Sequence, residues 1–210
     1  MDCLVGFVWQ KHGPFLANRR VTVLDSLFTS IMSDKFITFS QKRDRSTFQW
    51  HPLLVAYVRG VVDGRRSKLE WLKDVDTVYL PMNWGKKHWV SLAVDILKGH
   101  IDILDPFEDL TSSRKVVSYM TPIAQMLPAL LRSVCGDVPS DWPPTAFTFL
   151  RIPGLAQNLR GGDCGPMAIK FIELHSHNLS TPLFNLTVQQ VNNLRVQYAI
   201  ALYATYVSPN

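Results

Sequence analysis

The chain has 210 residues, of which 47% are hydrophobic, 11% aromatic and 19% charged, and its net charge is +5. A chain of this length is expected to form one domain, and this composition can bury a large core, which excludes disordered, collagen-like and low-complexity proteins. The mild positive charge permits contact with nucleic acid but does not indicate it.

The longest apolar stretch without charge, residues 116–131, contains two prolines. It is shorter than the roughly 20 residues that a membrane-spanning helix needs. At the N-terminus Asp2 follows Met1 and the apolar run ends by Gln10, which is unlike a secretory signal. We therefore expect a soluble protein that stays inside the cell and has no membrane partner.

The chain contains three widely spaced cysteines: Cys3, Cys135 and Cys164. Their odd number is unlike a disulfide framework, and no CxxC pair suggests a zinc site. We expect free thiols, no bound metal and no other cofactor.

The first 75 residues are expected to be mainly helical, although their pattern is weak. Apolar residues recur at helical intervals in residues 21–32, and residues 52–62 form a second apolar segment. From Asp76 the period changes to two. We therefore divide the chain into an N-terminal part, residues 1–75, and a core, residues 76–210.

Three short strands are predicted at the start of the core. Residues 77–80 and 89–96 have strand-like patterns and are separated by a turn at residues 81–87. Residues 101–104 return after a tight turn at Lys98 and Gly99. This pattern predicts an antiparallel hairpin within a mixed sheet.

The rest of the core alternates between helices and one strand. We expect a helix over residues 119–134 that is entered near Pro122, and a strand over residues 146–152. A buried helix follows the glycine-rich loop at residues 161–165, and a long helix over residues 188–206 completes the core. The predicted fold class is α+β, with helices flanking a central mixed sheet.

Cys164 lies where the glycine-rich loop enters its helix. The unpaired N–H groups and the positive dipole end of a helix N-terminus favour a thiolate over a thiol. Gly162 and its neighbouring glycines would let a substrate backbone approach the sulfur. These features indicate a nucleophile, whereas a buried structural cysteine is the alternative interpretation.

A reactive thiol needs a base, and the base needs a group that orients it. Among six histidines His88 is the best placed, because it follows a polar turn and directly precedes a strand. Asp105 ends the return strand, so both side chains are expected at the same edge of the sheet. A tight turn at Lys98 and Gly99 would nevertheless leave Asp105 roughly 13 Å too far from His88, at about 3.3 Å per residue. Their contact therefore requires a wider loop, a bulge or a backfolded His88.

Three segments occur in an order typical of one family: HWVSLAVD from His88, IDILDP from Ile101 and QNLRGGDCGP from Gln157. Together they resemble the catalytic domain of the Ulp1 (SUMO-protease, or sentrin-specific protease) family of cysteine peptidases, and particularly its plant, transposon-associated branch. The resemblance covers roughly residues 76–206. It implies a papain-like or adenain-like cysteine protease fold.

The resemblance also implies a role for each residue of the site. Cys164 would be the nucleophile, His88 the general base and Asp105 the residue that orients it. Gln157 would donate to the oxyanion, although Asn158, one residue nearer to the cysteine, is a second candidate. Trp89 would help to close a narrow tunnel over the diglycine tail of the substrate.

One departure from the family pattern concerns this tunnel. The family motif Trp-Leu-x-Asp supplies a second tunnel tryptophan, whereas the nearest match here, from Val23 to Asp25, has none. We expect weaker substrate grip, unless Phe28, Trp50 or Trp84 takes the missing place. A tryptophan introduced at Val23 or Leu24 is then expected to raise kcat/KM.

The implied function is that of a peptidase or isopeptidase that cleaves after the Gly-Gly terminus of a ubiquitin-like modifier, SUMO or a related protein. We expect a monomer in the nucleus or cytoplasm, with no specific nucleic-acid partner. Two alternatives remain at this point: an acyltransferase built on the same scaffold, and a non-catalytic binding remnant of a mobile element.

Overall fold

In the computed structural model, which describes residues 1–62, 68–136, 142, 145–158, 160–179 and 185–208, a five-stranded mixed sheet lies between two groups of helices. The strands are β1 (Val21–Val23), β2 (Thr77–Trp84), β3 (His88–Asp95), β4 (His100–Leu104) and β5 (Thr148–Arg151). The helices are α1 (Asp2–Asn18), α2 (Ser26–Gln41), α3 (Pro52–Val58), α4 (Ser113–Val134), α5 (Cys164–Ser176) and α6 (Val188–Tyr206). Short 3-10 turns occur at Arg45–Thr47 and Glu108–Leu110. The predicted α+β class with a central mixed sheet is confirmed.

Strands lie in the sheet in chain order, from β1 to β5. The β1–β2 and β4–β5 pairs are parallel, and the β2–β3 and β3–β4 pairs are antiparallel, as the hairpin pattern predicted. Alternation along β2 and β3 sends residues such as Leu80 and Leu92 into one core with α2, α3 and α4. Residues of the opposite face, including Tyr79 and Ala93, pack with α1, α5 and α6.

The helical interpretation of residues 21–32 was wrong at its start. Val21–Val23 form β1, which pairs in parallel with β2, and Asp25 then caps α2 by accepting a hydrogen bond from the Leu27 N–H at 3.0 Å. Three β-branched residues and burial on both faces favour the strand, and only the partner strand, more than 50 residues away, makes it possible.

Strand β2 is longer than predicted, because it continues through Pro81 to Trp84 and the turn is confined to residues 85–87. The last pair between β1 and β2 is Val23 with Tyr79, so at Pro81 strand β2 has no strand on that side. The missing N–H of proline therefore breaks no ladder hydrogen bond there. Gly85 supplies the turn with a left-handed backbone conformation, φ +61°.

Helix α4 begins at Ser113, before the predicted start, and contains both Pro122 and Pro128 in its interior. A proline normally disrupts a helix because it lacks the N–H donor. Here most of the apolar face of the helix is buried, and packing of that face outweighs the lost hydrogen bonds. No helix in the described part of the chain combines the length and apolar character needed to cross a membrane.

Candidate active site

The loop before α5 places Cys164 at the first position of the helix, with Pro166 in the first turn as predicted. Gly162 has φ +87°, a conformation that side chains rarely adopt, and a Cβ atom there would meet no atom within 4 Å. The loop thus leaves open space beside Gly162, two residues before the cysteine.

The loop is held in place by the carboxylate of Asp163, which is almost fully buried. This carboxylate accepts hydrogen bonds from Arg160 Nε at 2.9 Å and from Arg195 Nη1 at 2.9 Å. Because Arg195 lies on α6, the clamp joins the last helix to the residue directly before Cys164. Charge-assisted hydrogen bonds of this kind are stronger than neutral ones, so they restrict movement of the loop.

The Cys164 side chain is mostly buried, and the residue is 8% exposed. Burial raises the pKa of its thiol, but its interactions with the His88 ring and with the N–H groups of Trp89 and Gly165 outweigh burial. The pKa of Cys164 is therefore lower than the ordinary value for cysteine. By contrast, burial raises the pKa of Cys135 to about 11, which is typical of a structural thiol.

His88 begins β3 and its ring is 98% buried. Ring atom Nε2 lies 2.7 Å from Asp105 Oδ1. The other nitrogen, Nδ1, is buried without a fixed hydrogen bond among the described residues, and the Cys164 thiol is its electrostatic neighbour. Burial lowers the pKa of His88, but the Asp105 and Cys164 interactions outweigh burial and raise this pKa to about 9.

Two aromatic rings pack edge-on against the His88 imidazole. Trp84 lies 6.0 Å from the His88 ring centroid and Phe107 lies 6.5 Å from it, both in tilted or edge-on arrangements. Trp84 is itself stacked on Tyr119 at 5.5 Å. These rings keep water from the imidazole and limit its rotation.

The contact between His88 and Asp105 depends on the register of β3 and β4. Asp95 pairs with His100, so the connection is four residues long, residues 96–99, instead of a two-residue turn. Ser91 pairs with Leu104, which places Asp105 next to Val90 instead of Leu92. This wider loop moves Asp105 two residues toward His88, and the side chains span the remaining gap.

Asp105 is fully buried and its Oδ1 also accepts a hydrogen bond from the Phe107 N–H at 2.8 Å. Arg151 Nε lies 3.3 Å from its other oxygen, Oδ2. A buried carboxylate is costly unless it is paired and hydrogen-bonded. Its neighbours here are therefore the imidazole, one backbone N–H and one guanidinium.

The two side-chain amides before the loop differ in their bonding. Gln157 Oε1 accepts from the Glu108 N–H at 2.8 Å, and Nε2 donates to the carbonyls of Leu155 at 2.9 Å and Asp105 at 3.4 Å. Asn158 is buried, and its Oδ1 accepts from the Arg160 N–H at 2.8 Å. Among the described residues, no hydrogen bond engages Asn158 Nδ2.

Trp89 lines a polar groove of about 350 Å³ between α2 and the β2–β3 turn. Its other lining residues are Ser26, Thr29, Ser30, Ser33, Asp34, Met82, Asn83 and Lys86. Asn83 pairs with Trp89 across the strands, and its Oδ1 is buried with no hydrogen-bond partner among the described residues. The wall of the groove thus contains a buried, unpaired acceptor close to the residue that follows His88.

Among the residues that the structure describes, no second aromatic side chain lines this groove. Phe28 and Trp84 are buried in the core, and Trp50 packs on Phe39 and Phe48. Val23 and Leu24 are also buried, and they belong to two different apolar clusters. A tryptophan at either position would overpack a core instead of reaching the groove, so we no longer expect it to raise kcat/KM.

Sequence reasoning missed two parts of this site: Arg151 beside Asp105, and the clamp of Asp163 with Arg160 and Arg195. The spacing of Arg160 and Asp163 is a weak signal, since surface pairs at this spacing are common. Arg151 and Arg195 are distant in sequence from their partners, so only the fold brings them together.

The model of the Ulp1 protease family, C-terminal catalytic domain, matches residues 9–209 of the chain. The fold is similar to that of the SUMO protease Ulp1 with its catalytic cysteine oxidised to a sulfinic acid, at 15% identity and TM-score 0.58, covering 97% of this chain and 75% of that one. It is also similar to the C-terminal Ulp1 protease domain in complex with SMT3, the yeast ortholog of SUMO, at 14% identity and TM-score 0.58, covering 96% and 75%.

ChlaDub1 from Chlamydia trachomatis shares the fold at 13% identity and TM-score 0.51, covering 97% of this chain and 89% of that one. A comparison with curated proteins gives no match. The family model nevertheless spans almost the whole chain, and the observed architecture agrees with it. The chain therefore belongs to the Ulp1 protease family and is a cysteine-type peptidase.

Proposed function

We propose that this peptidase cleaves after the Gly-Gly terminus of a ubiquitin-like modifier, with SUMO as the expected modifier, and that it acts both on precursors and on isopeptide conjugates. The observation that carries the proposal is the cluster of Cys164 at the start of α5 with His88 and Asp105 at the ends of β3 and β4, in a chain of this family. The yeast Ulp1 domain bound to SMT3 supports the choice of modifier.

In the first half-reaction the Cys164 thiolate attacks the carbonyl carbon of the terminal glycine. The new C–S bond forms as the carbonyl oxygen takes the electron pair. The His88 imidazolium then gives its proton to the leaving amine nitrogen as the C–N bond breaks. A thioester between Cys164 and the modifier remains, and the amine leaves.

In the second half-reaction His88 acts as a base toward water. It takes one proton from the water as the oxygen attacks the thioester carbon, and the C–S bond breaks to regenerate the thiolate. The hydrogen bond of Nε2 with Asp105 leaves Nδ1 as the ring atom that handles these protons. The Asp105 carboxylate stabilises the imidazolium while it exists.

The oxyanion needs donors near the start of α5. Backbone N–H groups of a helix N-terminus suit this role, since they have no partner within the helix. Gln157 is the side-chain donor that the family resemblance implies, but its Nε2 would first have to leave the Leu155 carbonyl. Asn158 Nδ2 requires no such exchange among the described residues, so we propose Asn158 as the donor and keep Gln157 as the alternative.

The polar groove beside Trp89 is proposed to receive the extended tail of the modifier. Only glycine passes a narrow channel next to a tryptophan without a steric clash, so the Gly-Gly terminus is the expected sequence. Rotation of the Asn83 side chain would bring its unpaired Oδ1 to the groove, where it would accept a main-chain N–H of this tail. A folded modifier would then contribute binding energy from outside the groove.

A panel of activity probes tests this proposal. SUMO and ubiquitin, each carrying a C-terminal vinyl sulfone in place of the scissile bond, are incubated with the chain and with Cys164→Ser. We expect an adduct of the SUMO probe on Cys164, found by intact mass and peptide mapping. An adduct with the ubiquitin probe alone would show that ubiquitin is the modifier instead of SUMO. Failure of both probes to react would overturn the proposed Gly-Gly specificity.

The cellular setting follows from this function. We propose a monomer that acts on modifier conjugates in the nucleus or cytoplasm and needs no nucleic acid. The plant, transposon-associated branch of the family stays a prediction.

A further inference from the structure

Arg151, the last residue of β5, is the cationic neighbour of Asp105. Its Nε lies 3.3 Å from Asp105 Oδ2, and the side chains of the two residues are 18% and 0% exposed. Whereas Oδ1 is held by His88 and the Phe107 N–H, Oδ2 has no hydrogen bond among the described residues. The guanidinium therefore provides the compensating charge on the side of the carboxylate that faces away from His88.

The guanidinium is itself fixed on its other sides. Its Nη1 donates to the Glu108 carbonyl at 3.1 Å, and its Nη2 donates to the Thr111 carbonyl at 2.9 Å. Its centre also lies 5.8 Å from the Trp84 ring centroid. The planar fork of arginine can make these contacts together, whereas the single ammonium group of lysine cannot.

The charge of Arg151 and its hydrogen bonds both act on the Asp105 carboxylate. The carbonyls that hold Arg151 belong to the segment after Asp105, and Phe107 of that segment donates to Asp105 Oδ1. Without the guanidinium, the buried charge on Oδ2 would have no compensating neighbour, and the segment after Asp105 would lose two of its contacts. A carboxylate that moves away from His88 would no longer stabilise an imidazolium there.

We propose that Arg151 is a positioning residue that compensates the buried charge of Asp105 and keeps the carboxylate aimed at His88. This inference rests on the proposed catalytic role of His88 and Asp105. The charged groups that face Asp105 are His88 from β3 and Arg151 from β5, and Glu108 contributes a carbonyl to Arg151 from the connecting segment. Arg151 itself touches no reacting atom, so its effect is on kcat and not on KM.

The test compares Arg151→Met with Arg151→Lys, which keeps the charge but not the fork. The matched control is Arg114→Met, an equal change at an exposed position on α4. Arg151→Met is expected to lower kcat about tenfold, equal to about 1.4 kcal/mol, with KM unchanged. The acid limb of its kcat/KM profile moves to higher pH. Arg151→Lys keeps the wild-type acid limb and loses less activity, and Arg114→Met matches wild type.

A second measurement needs no modifier. In a Cys3→Ser, Cys135→Ser background, the rate of Cys164 alkylation by iodoacetamide is followed against pH. In Arg151→Met the acid limb of this pH–rate profile should move to higher pH. This result is expected even if the chosen modifier is wrong and no cleavage is seen. Equal loss in both Arg151 variants, in step with a lower Tm and with unshifted pH profiles, would overturn the proposal and make Arg151 purely structural.

Discussion

The imidazole of His88 is subject to opposing influences, because burial lowers its pKa while Asp105 and the Cys164 thiolate raise it. The balance is a pKa of about 9 for His88 and a lowered pKa for Cys164. Both shifts favour the thiolate–imidazolium pair over the neutral thiol–imidazole pair.

This pair predicts the pH dependence of catalysis. As the pH rises through about 9, His88 loses the proton that it must give to the leaving amine, so kcat/KM should fall. At low pH the thiolate is protonated, and kcat/KM falls again. Asp105→Asn removes the charge that raises the His88 pKa, so its alkaline limb should move to lower pH. An unchanged alkaline limb in a folded Asp105→Asn protein would contradict this assignment.

Replacement of Cys164 by serine should abolish turnover and leave folding intact. The change is nearly isosteric, and a serine hydroxyl is not ionised by a partner with a pKa near 9. Cleavage of a SUMO precursor and thermal melting followed by circular dichroism measure the two effects. Cys135→Ser is the matched control and should retain activity. Loss of activity in Cys135→Ser alone would show that Cys135, and not Cys164, is the nucleophile.

The two amides near the oxyanion are expected to behave differently. Asn158→Ala should lower kcat about 10²-fold or more, as loss of one oxyanion donor does in other hydrolases. Gln157→Ala should instead lower stability, because its side chain bridges Glu108, Asp105 and Leu155. Steady-state kinetics and urea unfolding of both variants separate the two roles. The reverse result would restore Gln157 as the donor.

At the level of elements, α2 forms one wall of the groove and Trp89 lies on the other. Ser30 is exposed on that wall, whereas Val23 and Leu24, which precede the helix, are buried. The family pattern would place an aromatic residue just before α2. In this chain those positions are buried, so an aromatic side chain can reach the groove from the surface of α2 instead.

We therefore expect Ser30→Trp to strengthen the grip on a Gly-Gly substrate. An aromatic contact contributes about 0.5 to 1.5 kcal/mol beyond area burial, which corresponds to roughly a twofold to thirteenfold rise in kcat/KM. Ile37→Trp serves as the control, since Ile37 is on the same helix, is exposed and does not line the groove. No gain in Ser30→Trp, with both variants folded, would show that the tail does not pass this wall.

At the scale of the whole molecule, the N-terminal part and the core share one apolar cluster. Phe28 on α2 has no exposed surface and packs against Tyr57 and Trp71, with centroid distances of 5.6 and 5.5 Å. The same cluster includes Leu80 and Leu92 of the sheet. Unfolding of one part should therefore expose the other.

Phe28→Ala is expected to lower the free energy of unfolding by about 3 to 5 kcal/mol, the usual cost of removing a buried aromatic ring. The exposed Ile37→Ala on the same helix should change it by less than about 0.5 kcal/mol. Urea unfolding followed by tryptophan fluorescence and by circular dichroism should give coincident transitions. Two separate transitions would show that the two parts are independent units.

Local chemistry made several features predictable from the sequence. The glycine-rich loop and Pro166 define the start of the Cys164 helix, since loop flexibility and an N-terminal proline act within a few residues. The α6 bounds and the hairpin from Thr77 to Leu104 follow in the same way from hydrophobic period and turn residues. The ordered His, Asp and Cys segments indicated the family and the enzyme class.

Other features required the tertiary structure, because their partners are far apart along the chain. Val21–Val23 become a strand only when β2 pairs with them, and helix α4 continues through its prolines only because its apolar face is buried. The four-residue loop before β4 decides that Asp105 reaches His88. Arg151 comes to lie beside that carboxylate through the pairing of β4 with β5. Sequence patterns thus determined which groups could do chemistry, and long-range packing decided which of them meet.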